Sequence, residues 1–198
     1  MIHLKKFSFV LLAMIFLMTT AHAAQPVRIA RLPIIFQSNI PDAETCSELE
    51  TKIKRAIHIP LNGTLQLAEY LPPEEVAQVL NELWQEIHSQ NKKATFKDAM
   101  RPLAQKLDAD IIVCPVLKQY SQYVAISPGW HGENFMISNV RAELIVYDRR
   151  TDTLVDKKNS QFYNDTESLR GTASFLAKVC FDKIIELSKL RQLIHDIR

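Results

Sequence analysis

The sequence predicts an α/β fold of the α+β kind, a mixed sheet with helices packed on its faces. Three observations carry this expectation. Apolar residues recur at helical spacing in four separate segments. Ile111-Ile112-Val113-Cys114 is a continuous apolar run, as in a strand covered on both faces. Residues 139–147 alternate with period two, with Val140, Ala142, Leu144 and Val146 on one side and Asn139, Arg141, Glu143 and Ile145 on the other. That is the pattern of a half-buried antiparallel strand.

The elements follow in order. Residues 27–36 read as a strand with an irregular point at Pro33. Asp42 can cap a helix to about Ile57, with Cys46, Leu49, Ile53, Ala56 and Ile57 on one face. Residues 58–63 hold Pro60 and Asn62-Gly63 and make a loop, and 65–71 make a short strand. Pro72-Pro73-Glu74-Glu75 opens a helix with its acids at the positive dipole end. Val76, Val79, Leu80, Leu83 and Ile87 are its stripe. Thr95 and Asp98 form a capping box before Phe96, Met100, Leu103 and Leu107.

Pro115 conflicts with a central place for the run at 111–114, because proline donates nothing to a ladder, and a bulge there would resolve it. A turn at 148–152 leads into a strand at 154–163, whose Lys157, Lys158, Asn159 and Ser160 suggest an exposed edge. Asn164 with Glu167 can cap a last helix carrying Leu169, Ala173, Leu176, Cys180, Ile184, Leu187 and Ile194. At ~30 residues and about 1.5 Å each, that helix would reach about 45 Å and could hold an oligomer together. The expected order is β-α-β-α-α-β-β-β-α.

The chain begins with Lys5 and Lys6, an apolar run over 7–18, and Ala21-His22-Ala23. This is the form of a secretory signal peptide over 1–23, leaving one domain over 24–198. The run is too short to span a bilayer, so the expected product is periplasmic or secreted, without stable membrane insertion. Loss of Lys5 and Lys6 takes the net charge from +2 to zero. A neutral surface excludes a nucleic-acid partner, which needs clustered basic charge. The three cysteines, Cys46, Cys114 and Cys180, lack metal or redox spacing and read as small buried residues.

Several strings resemble the periplasmic fold shared by the curli-secretion component CsgG and the amino-terminal domain of TolB. Ile29-Ala30-Arg31-Leu32-Pro33 is similar to its first strand, residues 103–113 to its helix, Ala-Asp turn and strand, and 140–154 to its later hairpin. Asp108, Asp152 and Cys114 stand where that family commonly carries glycine. The resemblance implies an envelope location and a domain that binds proteins without catalytic residues.

His58, His88, His131 and His195 each stand alone, and no nucleophile elbow or phosphate loop occurs. No catalytic, metal or cofactor residue is assigned. Residues 120–135, YSQYVAISPGWHGENF, read as a loop joining two strands. Its Tyr120, Tyr123, Trp130, His131 and Phe135 are the candidate partner-binding residues, since aromatics give large contact area at low entropy cost. The same loop could instead fold over the core with Trp130 as a plug. The function expected is a non-catalytic envelope protein that binds a protein partner. The alternatives are a small enzyme using His131 with nearby acids, and a homo-oligomer built on the last helix.

Overall fold

The computed structural model describes residues 25–126 and 134–197. The elements are β1 (Val27–Arg31), β2 (Ile35–Phe36), α1 (Ala43–Ala56), α2 (Asn62–Leu65), β3 (Ala68–Leu71), α3 (Pro73–Gln90) and α4 (Phe96–Leu107). They continue with β4 (Ile111–Ile126), β5 (Asn134–Asp148), β6 (Thr153–Thr166), a 3₁₀ turn (Leu169–Gly171), α5 (Ala173–Ser188) and α6 (Leu190–His195). The strand order is β3-β1-β4-β5-β6, with β2 also paired to β4. Pairings on the β3 side are parallel, and β4-β5-β6 form an antiparallel meander.

The expected mixed sheet with helices on both faces is present. The crossover through α1 leads from β1 outward to β3, and the one through α3 and α4 returns past β1 to β4. Such crossovers are right-handed, so two running in opposite directions place their helices on opposite faces. One core layer packs Leu49 and Ile53 of α1 and Cys180, Phe181 and Ile184 of α5 on Ile111, Val113, Val140 and Leu144. The other packs Val76, Leu80, Met100 and Leu103 on Ile112, Cys114, Ile145 and Tyr147. Ile145 is therefore buried, and the half-buried pattern expected over 139–147 fails at its C-terminal end, where α3 and α4 cover the second face.

Helix starts follow the sequence. Asp42 accepts a hydrogen bond from the Thr45 amide at 2.8 Å, and Asp98 accepts one from the Thr95 amide at 2.7 Å. These bonds satisfy donors that would otherwise lack partners.

Pro115 needs no bulge of its own. Backbone carbonyls of Val113 and Leu117 accept from Leu32 and Gln37, so odd residues of β4 direct their backbone polar groups toward β1 and β2. Pro115, which has no N–H, falls where β1 has ended and β2 has not begun, beside the break that Pro33 makes. The bulge lies three residues later, between Leu117 and Gln119, with Lys118 as the extra residue. Cys114 is interior to β4, which continues to Ile126.

Asp108 and Asp152 take left-handed backbone conformations, with φ of 49° and 51°. Each lacks glycine's freedom but gains side-chain partners. Asp108 pairs with Arg149 at 2.8 Å and Arg28 at 3.2 Å, while Asp152 accepts from Arg101 at 2.6 Å and from the Tyr147 hydroxyl at 2.8 Å. Hydrogen bonding and charge from Arg149 hold the Asp108 carboxyl below the usual carboxylate range.

The last helix is not continuous. Lys189 has φ 54° and ends α5, and the chain turns into α6. Leu190 and Ile194 are buried in the protein's own core, so α6 does not project. The cap of α5 is Thr172, which accepts from the Phe175 amide at 3.2 Å, because Asn164 is still in β6. Leu169 lies in the 3₁₀ turn and is exposed.

Gly171 meets the Tyr163 ring there. A Cβ at Gly171 would lie 2.3 Å from Tyr163 Cε1, and the ring is tethered by its hydroxyl, which donates to Thr166 O at 2.7 Å. Gly171→Ala should cost about 1–3 kcal/mol, the usual scale of overpacking. Urea titration checks this, and adding Tyr163→Leu should recover part of the loss.

All three cysteines are free thiols, with Cys114 and Cys180 buried and Cys46 half-buried. Burial pushes the Cys114 thiol up strongly and the Cys180 thiol up to about 11, so both stay protonated at neutral pH.

Candidate functional site

β4, β5 and β6 outrun the rest of the sheet as a three-stranded ribbon, paired as far as Ile126 with Asn134 and Phe135 with Thr166. Residues 120–126 and 134–135 are thus strand rather than loop, because the pairing of β4 with β5 continues beyond the reach of β1 and β2. One face of the ribbon meets the start of α5: the Ala173 amide donates to Gln122 Oε1 at 2.8 Å, and Met136, Ser138 and Val140 are buried. Tyr120 belongs to this inner face and packs against the first core layer. Its hydroxyl pKa is raised, chiefly by burial.

The outer face carries Tyr123 and Phe162, 57% and 65% exposed. Tyr123 lies opposite Ile137, and Phe162 lies opposite Asn139. Phe135, half-buried, is two residues from Ile137 and so on the same face. The predicted residues therefore separate, with Tyr120 facing the core and Tyr123 and Phe135 facing outward. Trp130 and His131 lie outside the described residues. Phe162 and Ile137 were missed in the sequence. Phe162 sits in a polar stretch, and only the strand register shows that it shares a face with Tyr123.

Where the outer face of the ribbon meets the helices, charged groups converge. Glu143 on β5 is 3% exposed and pairs with Lys118 at 2.5 Å and Lys158 at 3.3 Å. Asp156 on β6 pairs with Lys97 at 3.1 Å and Lys158 at 3.3 Å. Burial pushes the Asp156 carboxyl up, but hydrogen bonding with Glu143, Lys97 and Lys158 outweighs this and leaves its pKa below the ordinary value. Its pairing therefore stabilises the fold above the unfolded carboxylate pKa, and that contribution is lost as pH falls through the lower folded value. Beside this cluster, Trp84 stacks on Phe96 with ring centroids 4.6 Å apart, and Trp84, Phe96, Lys97, Lys118, Glu143 and Lys158 line a cavity of about 220 Å³.

Two other hollows are explained by structure. One of about 370 Å³ lies between the end of α1 and β3. Its Arg31 pairs with Glu50, and its Tyr70 hydroxyl donates to Ile57 O at 2.9 Å and accepts from the Ile59 amide at 3.0 Å. Another, of about 180 Å³, is lined by Arg55, His58, Arg191 and His195. Arg55 and His195 occupy the last turns of α1 and α6, where basic groups complement the negative end of the helix dipole. Among the described residues no group of three or more His, Cys, Asp and Glu is placed to hold a metal ion, and no helix is long and apolar enough to cross a membrane.

No protein-family model matches the chain, and no curated protein matches it. Among solved structures it is similar to the PelC dodecamer from Paraburkholderia phytofirmans, with 14% identity, 85% of this chain and 89% of that one covered, and a TM-score of 0.38. It is also similar to lipoprotein GNA1162 from Neisseria meningitidis, with 19% identity, 81% and 99% coverage and a TM-score of 0.37. The hypothetical protein CT253 from Chlamydia trachomatis shows 12% identity, 85% and 98% coverage and a TM-score of 0.44. Likenesses at this level assign neither an activity nor a partner to this chain.

Proposed function

We propose that this is a non-catalytic protein of the bacterial envelope that binds a protein partner through the outer face of the β4-β5-β6 ribbon. The single observation that carries the reading is the uncovered aromatic face. Tyr123 and Phe162 are more than half exposed on it, whereas on the opposite face Met136, Ser138 and Val140 are buried and the start of α5 meets Gln122. Exposed aromatics on a rigid, paired backbone lose little entropy on contact and supply the usual anchors of interfaces. The envelope location rests on the signal-like pattern of residues 5–23. Kinship with the periplasmic fold of CsgG and the amino-terminal domain of TolB is part of the proposal. It is supported by the left-handed conformations of Asp108 and Asp152, at positions where that family commonly has glycine.

The test is a Tyr123→Ser/Phe162→Ser double variant. Both side chains are exposed, so its stability should stay within roughly 1 kcal/mol of the parent. Photocrosslinking from position 137, in intact envelopes, should trap a discrete partner with the parent and lose it with the variant, on the scale of 2 kcal/mol or more expected of interface anchors. An unchanged crosslink, or a variant that unfolds, overturns the reading.

A further inference from the structure

We propose that the cleft where α3 and α4 meet the ribbon is a binding site for a small phosphate-bearing molecule with a planar apolar group. Four cationic side chains from four elements surround it: Lys97 from α4, Lys118 from β4, Arg141 from β5 and Lys158 from β6 at the sheet edge. Two adjoining hollows, of about 220 and 410 Å³, share Lys118 and Lys158 in their linings. The first is walled by the Trp84–Phe96 stack, and the second by Arg141. Among the described residues two carboxylates, Glu143 and Asp156, pair with the lysines, so the cluster keeps an excess of positive charge.

The site is built rather than incidental. The bulge between Leu117 and Gln119 leaves Lys118 as the unpaired residue of β4 and lets its ammonium reach Glu143. Bulges re-aim side chains in this way beside functional sites. Glu143, almost wholly buried, fixes two ammonium groups at once. Each ammonium has three donors. Lys118 spends one on Glu143, and Lys158 spends two, on Glu143 and Asp156. Their side chains remain 38% and 57% exposed, so the spare donors are open to solvent. Arg141 is exposed and pairs with no acid among the described residues. Two ammonium groups and a free guanidinium suit a doubly charged phosphate better than a single carboxylate. The aromatic stack offers apolar surface to a planar group lying beyond the phosphate.

Fluorescence tests this directly. The chain has two tryptophans, so Trp130→Phe leaves Trp84 as the sole reporter. Titration of the mature protein with phenyl phosphate at low ionic strength should change Trp84 emission saturably, with a Kd below ~1 mM. Benzoate and inorganic phosphate should bind at least about tenfold more weakly, and benzyl alcohol should give no saturable change. Lys118→Gln and Arg141→Gln should each weaken phenyl phosphate about tenfold or more. Lys118→Gln disturbs the Glu143 pairing and its melting must be followed, but Arg141→Gln breaks no ion pair and stands as the decisive variant. No saturable response in the parent, or an unchanged Kd in a folded Arg141→Gln protein, overturns the assignment.

Discussion

Phe181→Ala should destabilise the protein by about 3–5 kcal/mol, the range for emptying a fully buried aromatic site. Phe181 is wholly inaccessible and is the largest fully buried side chain among the described residues. It projects from α5 into the layer that joins α1, α5 and one face of the sheet. Its loss removes a large transfer contribution and leaves a void that Ile53, Leu144 and Ile184 cannot fill without leaving their own packing. Urea titration is the measurement, with the slope checked for two-state behaviour. A loss under ~1 kcal/mol would mean that α5 does not seal this face. It would also undercut the proposed interface, which depends on α5 closing one side of the ribbon and leaving the other bare.

Ile112→Ala should cost about 2–5 kcal/mol on the opposite face. Ile112 is fully buried in β4, against the residues of α3 and α4. The two sites belong to different layers separated by the sheet, so the double variant should show the sum of the single losses to within about 0.5 kcal/mol. A large deficit would show that the layers share a packing constraint across the backbone. Both effects are far greater than that expected of Tyr123 or Phe162, and this contrast separates residues that build the protein from residues that present a surface.

The expectations that held rest on local chemistry. The run 111–114 is apolar at every position, and a chain can place it only where both faces are covered, as found. The caps at Asp42 and at Thr95–Asp98 are satisfied within four residues of chain, so no distant partner can change them. The alternation of Val140, Ala142, Leu144 and Val146 specifies one buried face, and that face is buried.

What failed needed knowledge of neighbours. Helical spacing runs through Lys189, but the break there is decided by packing, because Leu190 and Ile194 reach the core only if the chain turns. Glycine and proline at 127–133 read as the middle of a loop, whereas the strands flanking them extend to Ile126 and from Asn134 because each finds a partner. The candidate surface was half visible. Tyr123 and Phe135 stood out as aromatics, but Tyr120, equally aromatic, turns inward on the same strand, and Phe162 joins from another strand through the register.

The sequence by itself determined the order of the major elements, the caps at Asp42 and Thr95, the central strand and the periodic faces, because each depends on groups a few residues apart. Tertiary structure alone decided which aromatic side chains face water, where Pro115 could be tolerated, and that Lys97, Lys118, Arg141 and Lys158 meet around Glu143. These outcomes depend on strand register and on which sheet face a helix covers, and those are set by contacts between residues far apart in the chain.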